Sequence, residues 1–287
     1  MIKRHGKNVH EIMVDGNKFA LLSDLHWDNP KCDRKLLKKH LDYCKEEGIK
    51  VFVNGDFFCL MGGRGDPRRS KSEIRPELNN DRYLDSVVET AVEWFSPYAD
   101  ILTVIGYGNH ETKIVKFQES DVLQRFVDLL NLKCHSNVQT GGYGGWLILQ
   151  MKFHSKYFPV KIKYFHGSGG GGIVTKGAIN LTRALELYEG CDIFTMGHIH
   201  ENWARNDVRD SLGHNAHRGY FVKHKPIHLA ITGTYKEEYG DGSKGWHIER
   251  GAPVKAIGGR MLQVTIERDR ENGQDRTQKY IDTHRIF

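Results

Sequence analysis

Apolar runs in this chain stop repeatedly at Asp, Asn, Gly or His. FALLSD (19–24), VFVNGD (51–56), ILTVIGYGNH (101–110) and KIKYFHG (161–167) are continuous Val, Ile, Leu and aromatic stretches closed by turn-forming residues, and each predicts a buried strand. Between them apolar residues recur at helical spacing. In 33–47, Leu36, Leu37, Leu41 and Cys44 share one face and Gly48 supplies the stop. Residues 81–99 predict a second amphipathic helix. Residues 112–131 predict a third, with Val115, Val122, Leu123, Phe126, Val127 and Leu130 turned inward. Strand, helix, strand in succession implies parallel pairing through crossover helices. Residues 8–25 predict a β-hairpin, VHEIMV and KFALLSDL about the turn Asp15-Gly16-Asn17.

The texture changes near residue 140. GGWLILQMKF, VKIKYFHG, DIFTMGHIH, PIHLAITGTY and MLQVTIERD follow one another as strands, interrupted by one helix over 178–190. The expected fold is therefore α/β, with a second, more antiparallel sheet packed on the first. At 287 residues the chain suits one large domain, 1–287. A polar, Gly- and Arg-rich stretch at 61–82 breaks the pattern and is expected to be an exposed insertion near the site.

Composition narrows the class. With 39% hydrophobic and 27% charged residues the chain is ordinary for a soluble protein, and no apolar run reaches membrane length. The charged start lacks an apolar signal core, so a cytoplasmic location and no membrane partner are expected. The five cysteines (32, 44, 59, 134, 191) are scattered without a CxxC pair, which argues against disulfides or structural zinc and for a reducing compartment. The formal charge of +6 suits a phosphate-bearing substrate. The oligomeric state is left open.

The residues that end the strands carry the chemistry: Asp24 and His26 in SDLH, Asn54 to Asp56 in NGD, Asn109, His110 and Glu111 in GNHE, His166 in YFHG, and His198 and His200 in GHIH. Strand ends are where α/β sheets collect ligands. Mixed carboxylate, amide and imidazole donors suit Mn, Fe, Zn, Co or Ni better than calcium. If GHIH is extended, residues two apart share a face, so His198 and His200 would each reach one ion.

In that order, DxH, GD, GNHE, H and GHxH resemble the calcineurin-like metallophosphoesterase superfamily. The resemblance implies a four-layer α/β/β/α fold, two mixed β-sheets packed as a sandwich and flanked by helices. It implies two divalent metal ions, Mn first, with Fe, Zn, Ni, Co or Mg as alternatives. One would be held by Asp24, His26, Asp56 and His200, the other by Asp56, Asn109, His166 and His198, with Asp56 bridging. His110 would stand over the phosphate as general acid or transition-state stabiliser, and a dimetal-bridging hydroxide would attack the phosphoester.

Departures from subfamily patterns narrow this further. Phosphoprotein phosphatases extend GD to GDxVDRG with a phosphate-gripping Arg, and purple acid phosphatases place a Tyr ligand there. This chain has GDFFCLMG, so Phe57 and Phe58 replace those polar positions. A phosphodiesterase acting on nucleotide or nucleic-acid substrates is therefore expected, with a phosphomonoesterase or a non-catalytic metal-binding scaffold as the alternatives. Glu111 is either the partner that orients His110 or a first-turn helix residue. GSGGGG (167–172) is expected to loop beside the site with amides open to a phosphate. Tyr235, Tyr239 and Trp246, with Lys236 and Lys244, either stack a base or pack; His214, His217 and His224 lie on the surface or in a substrate loop.

Overall fold

The computed structural model describes residues 1–6, 8–62, 70–216, 219–240, 242–243, 246–271 and 274–286. In chain order the strands are β1 (Ile2–Arg4), β2 (Val9–Val14), β3 (Lys18–Leu22), β4 (Val51–Val53), β5 (Leu102–Ile105), β6 (Gln139–Thr140), β7 (Gly144–Phe153), β8 (Lys156–Phe165), β9 (Ile193–Met196), β10 (Asn202–Asn215), β11 (Gly219–Thr232), β12 (Arg260–Glu271) and β13 (Gln274–Arg285). The helices are α1 (Arg34–Glu46), α2 (Tyr83–Phe95), α3 (Asn109–Gln118), α4 (Val122–Cys134), α5 (Ala178–Leu185) and the short α6 (Trp246–Glu249).

Two mixed sheets result. One runs β13-β12-β3-β4-β5-β6, with β3 to β6 parallel; the other runs β1-β2-β7-β8-β9-β11-β10. Strand alternation assigns the layers. Phe19 and Leu21 of β3 and Phe52 of β4 face the second sheet, where they meet Leu147, Leu149, Ile162 and Tyr164. Their neighbours Ala20, Leu22, Val51 and Val53 face the other way, onto Leu37 and Leu41 of α1, Val88 of α2 and Phe126 of α4. On the far side of the second sheet, Phe194 and Met196 pack against Leu181 and Leu185 of α5. Helix, sheet, sheet, helix is the four-layer α/β/β/α sandwich the motifs implied.

Several local expectations are corrected. Residues 8–25 form two strands but no hairpin: β2 pairs in parallel with β7, whereas β3 pairs with β4 and β12. β3 is buried on both faces and needs neighbours on both edges, so tertiary pairing overrides the Asp-Gly turn cue. The 112–131 helix is two helices, broken where Glu119 turns left-handed (φ 50°) and Asp121 caps Gln124 N–H; Val115 lies on the exposed side. The helix expected over 178–190 ends at Leu185. Of the 61–82 stretch, residues 63–69 lie outside the described residues. The remainder is not simply exposed, since Leu78 is fully buried and Glu73 is tied into the interior. The strands β10 and β13 escaped notice because their polar sequences lack a buried alternation. All five cysteines are free thiols. No helix among the described residues is long and apolar enough to cross a membrane.

Three buried histidines away from the strand-end motifs make stability pH-dependent. Burial lowers His10, His40 and His228 to about 4 each. An unfolded histidine takes its proton near 6.5, so between about pH 4 and 6.5 the unfolded chain binds more protons. Stability from these groups is therefore full above about 6.5 and lost as pH falls toward 4, by roughly 1–3 kcal/mol each. His10 is completely buried with neither ring nitrogen hydrogen-bonded. His10→Leu is expected to raise the unfolding free energy by about 1–3 kcal/mol, read as a higher urea midpoint, and to flatten its change between pH 6.5 and 4.5. Equal slopes in the two proteins would refute the assignment.

Candidate metal centre

Five strands deliver their C-terminal ends to one place. β3 leads to Asp24 and His26, β4 to Asp56, β5 to Asn109 and His110 at the start of α3, β8 to His166, and β9 to His198 and His200. β3, β4 and β5 run parallel in one sheet and β8 and β9 parallel in the other, so the loops after them leave on the same side. The loops are then laced together. Asp24 N–H donates to the Gly55 carbonyl (3.1 Å), His26 N–H to the Asp56 carbonyl (3.0 Å) and His198 N–H to the Asp24 carboxylate (2.9 Å). Asn54 joins the sheets, its amide donating to the Phe165 carbonyl at 3.1 Å.

Three groups of donors form among the described residues; one, His26, Cys59 and His110, has no carboxylate and its thiol is pushed up by burial, and the other two pair a carboxylate with imidazoles. In one, Asp24, His26 and His200 place ligand atoms within 4.8 Å of one another; in the other, Asp56, His166 and His198 do the same. His200 Nε2 lies 3.3 Å from His26 Nε2 and 3.4 Å from Asp24 Oδ1. His166 Nε2 lies 3.3 Å from both Asp56 Oδ2 and Asn109 Oδ1. The tautomer of His166 follows from its other nitrogen, since Nδ1–H donates to the Asn54 carbonyl at 2.8 Å and leaves Nε2 with a lone pair toward the cluster.

The donor set fits divalent cations. Asp24 Oδ1 and His26 Nδ1 are buried without a hydrogen bond, and a buried polar atom in that state requires a partner the protein does not supply. Charge points the same way. Burial opposes a proton on His166, but the Asp56 carboxylate outweighs it and raises the ring to about 10; the carboxylates of Asp24 and Glu238 likewise raise His200 to about 9. Burial opposes the charge on Asp56 too, yet the His166 and His110 rings hold its carboxyl well below the usual range. The cluster attracts positive charge, and divalent ions would displace those protons.

The backbone of the site is unusual. Asp24, His26, Asp56, His198 and His200 all adopt left-handed φ values, from 46° to 68°. The expectation that His198 and His200 share a face of an extended segment is thus replaced: each sits in its own left-handed turn, with Ile199 between them buried. A non-glycine residue in this region costs on the order of 1–2 kcal/mol and persists only where its surroundings fix it.

Two glycines make the close approach feasible. Gly55 has φ 77°, and a Cβ there would press on His166 Nδ1 and the Gly108 backbone; one on Gly108 would overlap the Asp56 amide and carboxylate. Gly108→Ala is therefore expected to weaken divalent-metal binding by at least about tenfold, as loss of a ligand's supporting contacts does. Gly48→Ala, strained by its own φ of 65° but in open space, serves as the control for a backbone penalty away from the cluster. Calorimetric titration with Mn that finds the two variants alike would contradict the account.

His110 stands beside this cluster. Its Nδ1–H donates to the Cys59 carbonyl at 2.5 Å, and its Nε2 lies 3.9 Å from Asp56 Oδ2. Glu111 takes the helix-cap role and not that of His110's partner. Its buried carboxylate accepts N–H groups of Gly108 (2.8 Å), Phe58 (2.9 Å) and Asp56 (3.2 Å), and burial together with Asp56 pushes it up to about 8. Phe57 and Phe58 are wholly buried, Phe57 tilted against Phe95 and Phe58 edge-on to Phe126.

A cleft of about 430 Å³ opens over His26, Asp56, Asn109 and His110, walled by Gly169 to Gly171 and by Lys236, Arg250 and Lys255. The GSGGGG loop therefore flanks the site. Tyr235 is fully buried, its hydroxyl 2.8 Å from His40 Nδ1, and is closed to a base. Lys244 and the Trp246 side chain lie outside the described residues, as does His217. His214 and His224 sit on the β10–β11 hairpin away from the cleft lining. The sequence carries no sign of the Cys59 carbonyl, which is backbone, or of Glu238, which has no motif spacing, and it offers Lys236 only as a companion of the aromatic residues.

The model of the calcineurin-like phosphoesterase family matches residues 17–202. Among solved structures, Vps29 of Chaetomium thermophilum is similar over 94% of this chain and 98% of its own, at 12% sequence identity and a TM-score of 0.32. No curated protein sequence matches the chain.

Proposed function

The chain belongs to the calcineurin-like phosphoesterase family, and from that premise we propose that it is a metal-dependent phosphodiesterase acting on a nucleotide or nucleic-acid substrate. The observation that carries the reading is the pair of donor sets, Asp24/His26/His200 and Asp56/His166/His198, with His110 beside Asp56 at the floor of an open cleft. Asp24, His26 and His200 would hold one divalent ion and His166, Asn109 and His198 the other, with Asp56 serving both. When bound, such a pair supplies a hydroxide nucleophile at neutral pH and neutralises charge on the phosphoryl oxygens. Imidazole and carboxylate donors together favour Mn, Fe, Zn, Co or Ni.

The protein's own groups do the rest. His110 donates Nδ1–H to the Cys59 carbonyl, so its exchangeable proton sits on Nε2, the nitrogen on the side of Asp56. Protonated there, it can hydrogen-bond a phosphoryl oxygen or hand the proton to the departing alkoxide. Arg250 and Lys255 add positive charge to a wall that Glu201 and Glu238 also line, and they are the groups a second anion on the substrate would meet. In the GDxVDRG pattern the phosphate-gripping Arg falls on Leu60, which is fully buried, so that Arg is missing here, which favours a diester.

The test is to strip the protein with chelator, restore Mn, and compare bis-p-nitrophenyl phosphate with p-nitrophenyl phosphate. Mn-dependent preference for the diester is expected. Preference for the monoester would move the assignment to a phosphatase. Two bound ions with no turnover of either ester would favour a binding scaffold.

A further inference from the structure

The segment after β11 lies outside the family-matched residues, yet it is fastened to the metal loops. Thr234 Oγ1 and Tyr235 N–H both donate to the Asp24 carbonyl, at 2.9 and 3.0 Å, and Glu237 N–H donates to the Lys31 carbonyl at 2.9 Å. This anchoring brings Glu238 behind His200. Glu238 Oε2 lies 3.5 Å from His200 Nδ1, while His200 Nε2 faces Asp24 and His26. Glu238 is itself held: its Oε1 is 3.0 Å from Lys236 Nζ, and its Oε2 is 3.2 Å from His247 Nδ1. Lys236 Nζ is also 3.3 Å from Glu73 Oε2, and Glu73 accepts from Asn29 Nδ2 at 2.7 Å. The side chains of Lys236, Glu238 and Glu73 are only 12%, 17% and 18% exposed, so this is an interior chain of alternating charge.

We infer that Glu238 is the positioning residue for His200, that Lys236 and Glu73 lock it in place, and that this relay sets the affinity of the Asp24/His26/His200 site for its ion. The inference rests on the metal-site reading above. An imidazole that binds metal through one nitrogen is fixed in tautomer and orientation when the other donates to a carboxylate, and its basicity rises. Nδ1–H directed at Glu238 leaves the His200 Nε2 lone pair toward the donor set. His166 has only the neutral Asn54 carbonyl in the equivalent place, so the two sites are backed by groups of different charge. Glu238 without Lys236 would be a half-desolvated carboxylate, and Lys236 without Glu73 would be free to swing; the relay keeps both charges fixed. Glu73 belongs to the 61–82 stretch, which thereby reaches the metal centre through three side chains.

The experiment uses the full chain, metal-stripped and titrated with Mn, followed by calorimetry and by electron paramagnetic resonance. Glu238→Ala is expected to bind one ion at native affinity and the other about 10–100-fold more weakly. At Mn concentrations that saturate the native protein, it should show the six-line spectrum of a lone ion in place of a coupled pair. Glu238→Gln, which keeps an acceptor without charge, should recover part of the affinity, and Glu73→Gln should show a smaller loss for the same ion. Thermal melting of each metal-free variant reports folding independently. Native affinity for both ions in a folded Glu238→Ala protein would overturn the inference, as would equal weakening of both. A native protein that takes up fewer than two ions would overturn it together with the reading it rests on, whereas two ions in the native protein confine any failure to Glu238.

Discussion

Asp56→Asn is expected to lower kcat/KM for an activated diester by about 10³–10⁴-fold, equivalent to roughly 4–6 kcal/mol of transition-state stabilisation. The substitution conserves size and shape, so the effect reports the charge and the donor oxygen that are lost. Asp56 is the point where the loops meet: its Oδ1 accepts His110 N–H at 2.9 Å, and its Oδ2 faces His166 Nε2 at 3.3 Å. In the proposed function it is the carboxylate that would serve both ions. An amide there presents one oxygen in place of two and no charge, and its NH₂ would oppose a cation. Metal content should fall from two ions to one, measured by mass spectrometry of the desalted protein. Retention of both ions with full turnover would remove Asp56 from its bridging role and with it the dimetal reading.

His110→Ala separates chemistry from metal binding. Loss of general acid catalysis costs about 10²–10⁴-fold in kcat, while metal content is expected to be unchanged, since His110 groups only with His26 and the Cys59 thiol, which burial keeps protonated. Leaving-group dependence sharpens the test. A nitrophenolate needs little protonation as it departs, so the loss should be smaller with bis-p-nitrophenyl phosphate than with an alkyl diester. A uniform loss across leaving groups would make His110 a stabiliser of the phosphoryl oxygens and deny it the acid role. Loss of metal in the same variant would show that the ring supports the cluster through its contact with Asp56.

Much of the site was legible because parallel strands announce themselves. Each buried run had to end in a turn, and Asp, Asn and His at five such ends left few other places for a metal. The reasons were less secure than the residues. His198 and His200 converge through left-handed turns and not through extended alternation, which no spacing rule reveals. The Asp15-Gly16 hairpin failed because a turn cue is local, whereas the pairing of β3 was decided by sequences some thirty and two hundred and forty residues away in β4 and β12. What orients His110 is a backbone carbonyl, and every residue has one. Glu238 and Lys236 lie in KEE, an unremarkable polar run until the fold folds it behind His200.

The left-handed backbone at Asp24, His26, Asp56, His198 and His200 also limits how the site can change over time. Asp, Asn and His are among the few side-chain-bearing residues that enter this region readily, and β-branched residues do not. Substitution at these five positions is thus filtered twice, first by backbone conformation and then by coordination chemistry. The exchanges that pass both filters are trades among Asp, Asn and His. Drift in metal preference across descendants of this sequence is expected to run along that short alphabet, and attempts to re-engineer the ions it accepts will find more room at Asn109 and His166, whose backbones lie outside the left-handed set.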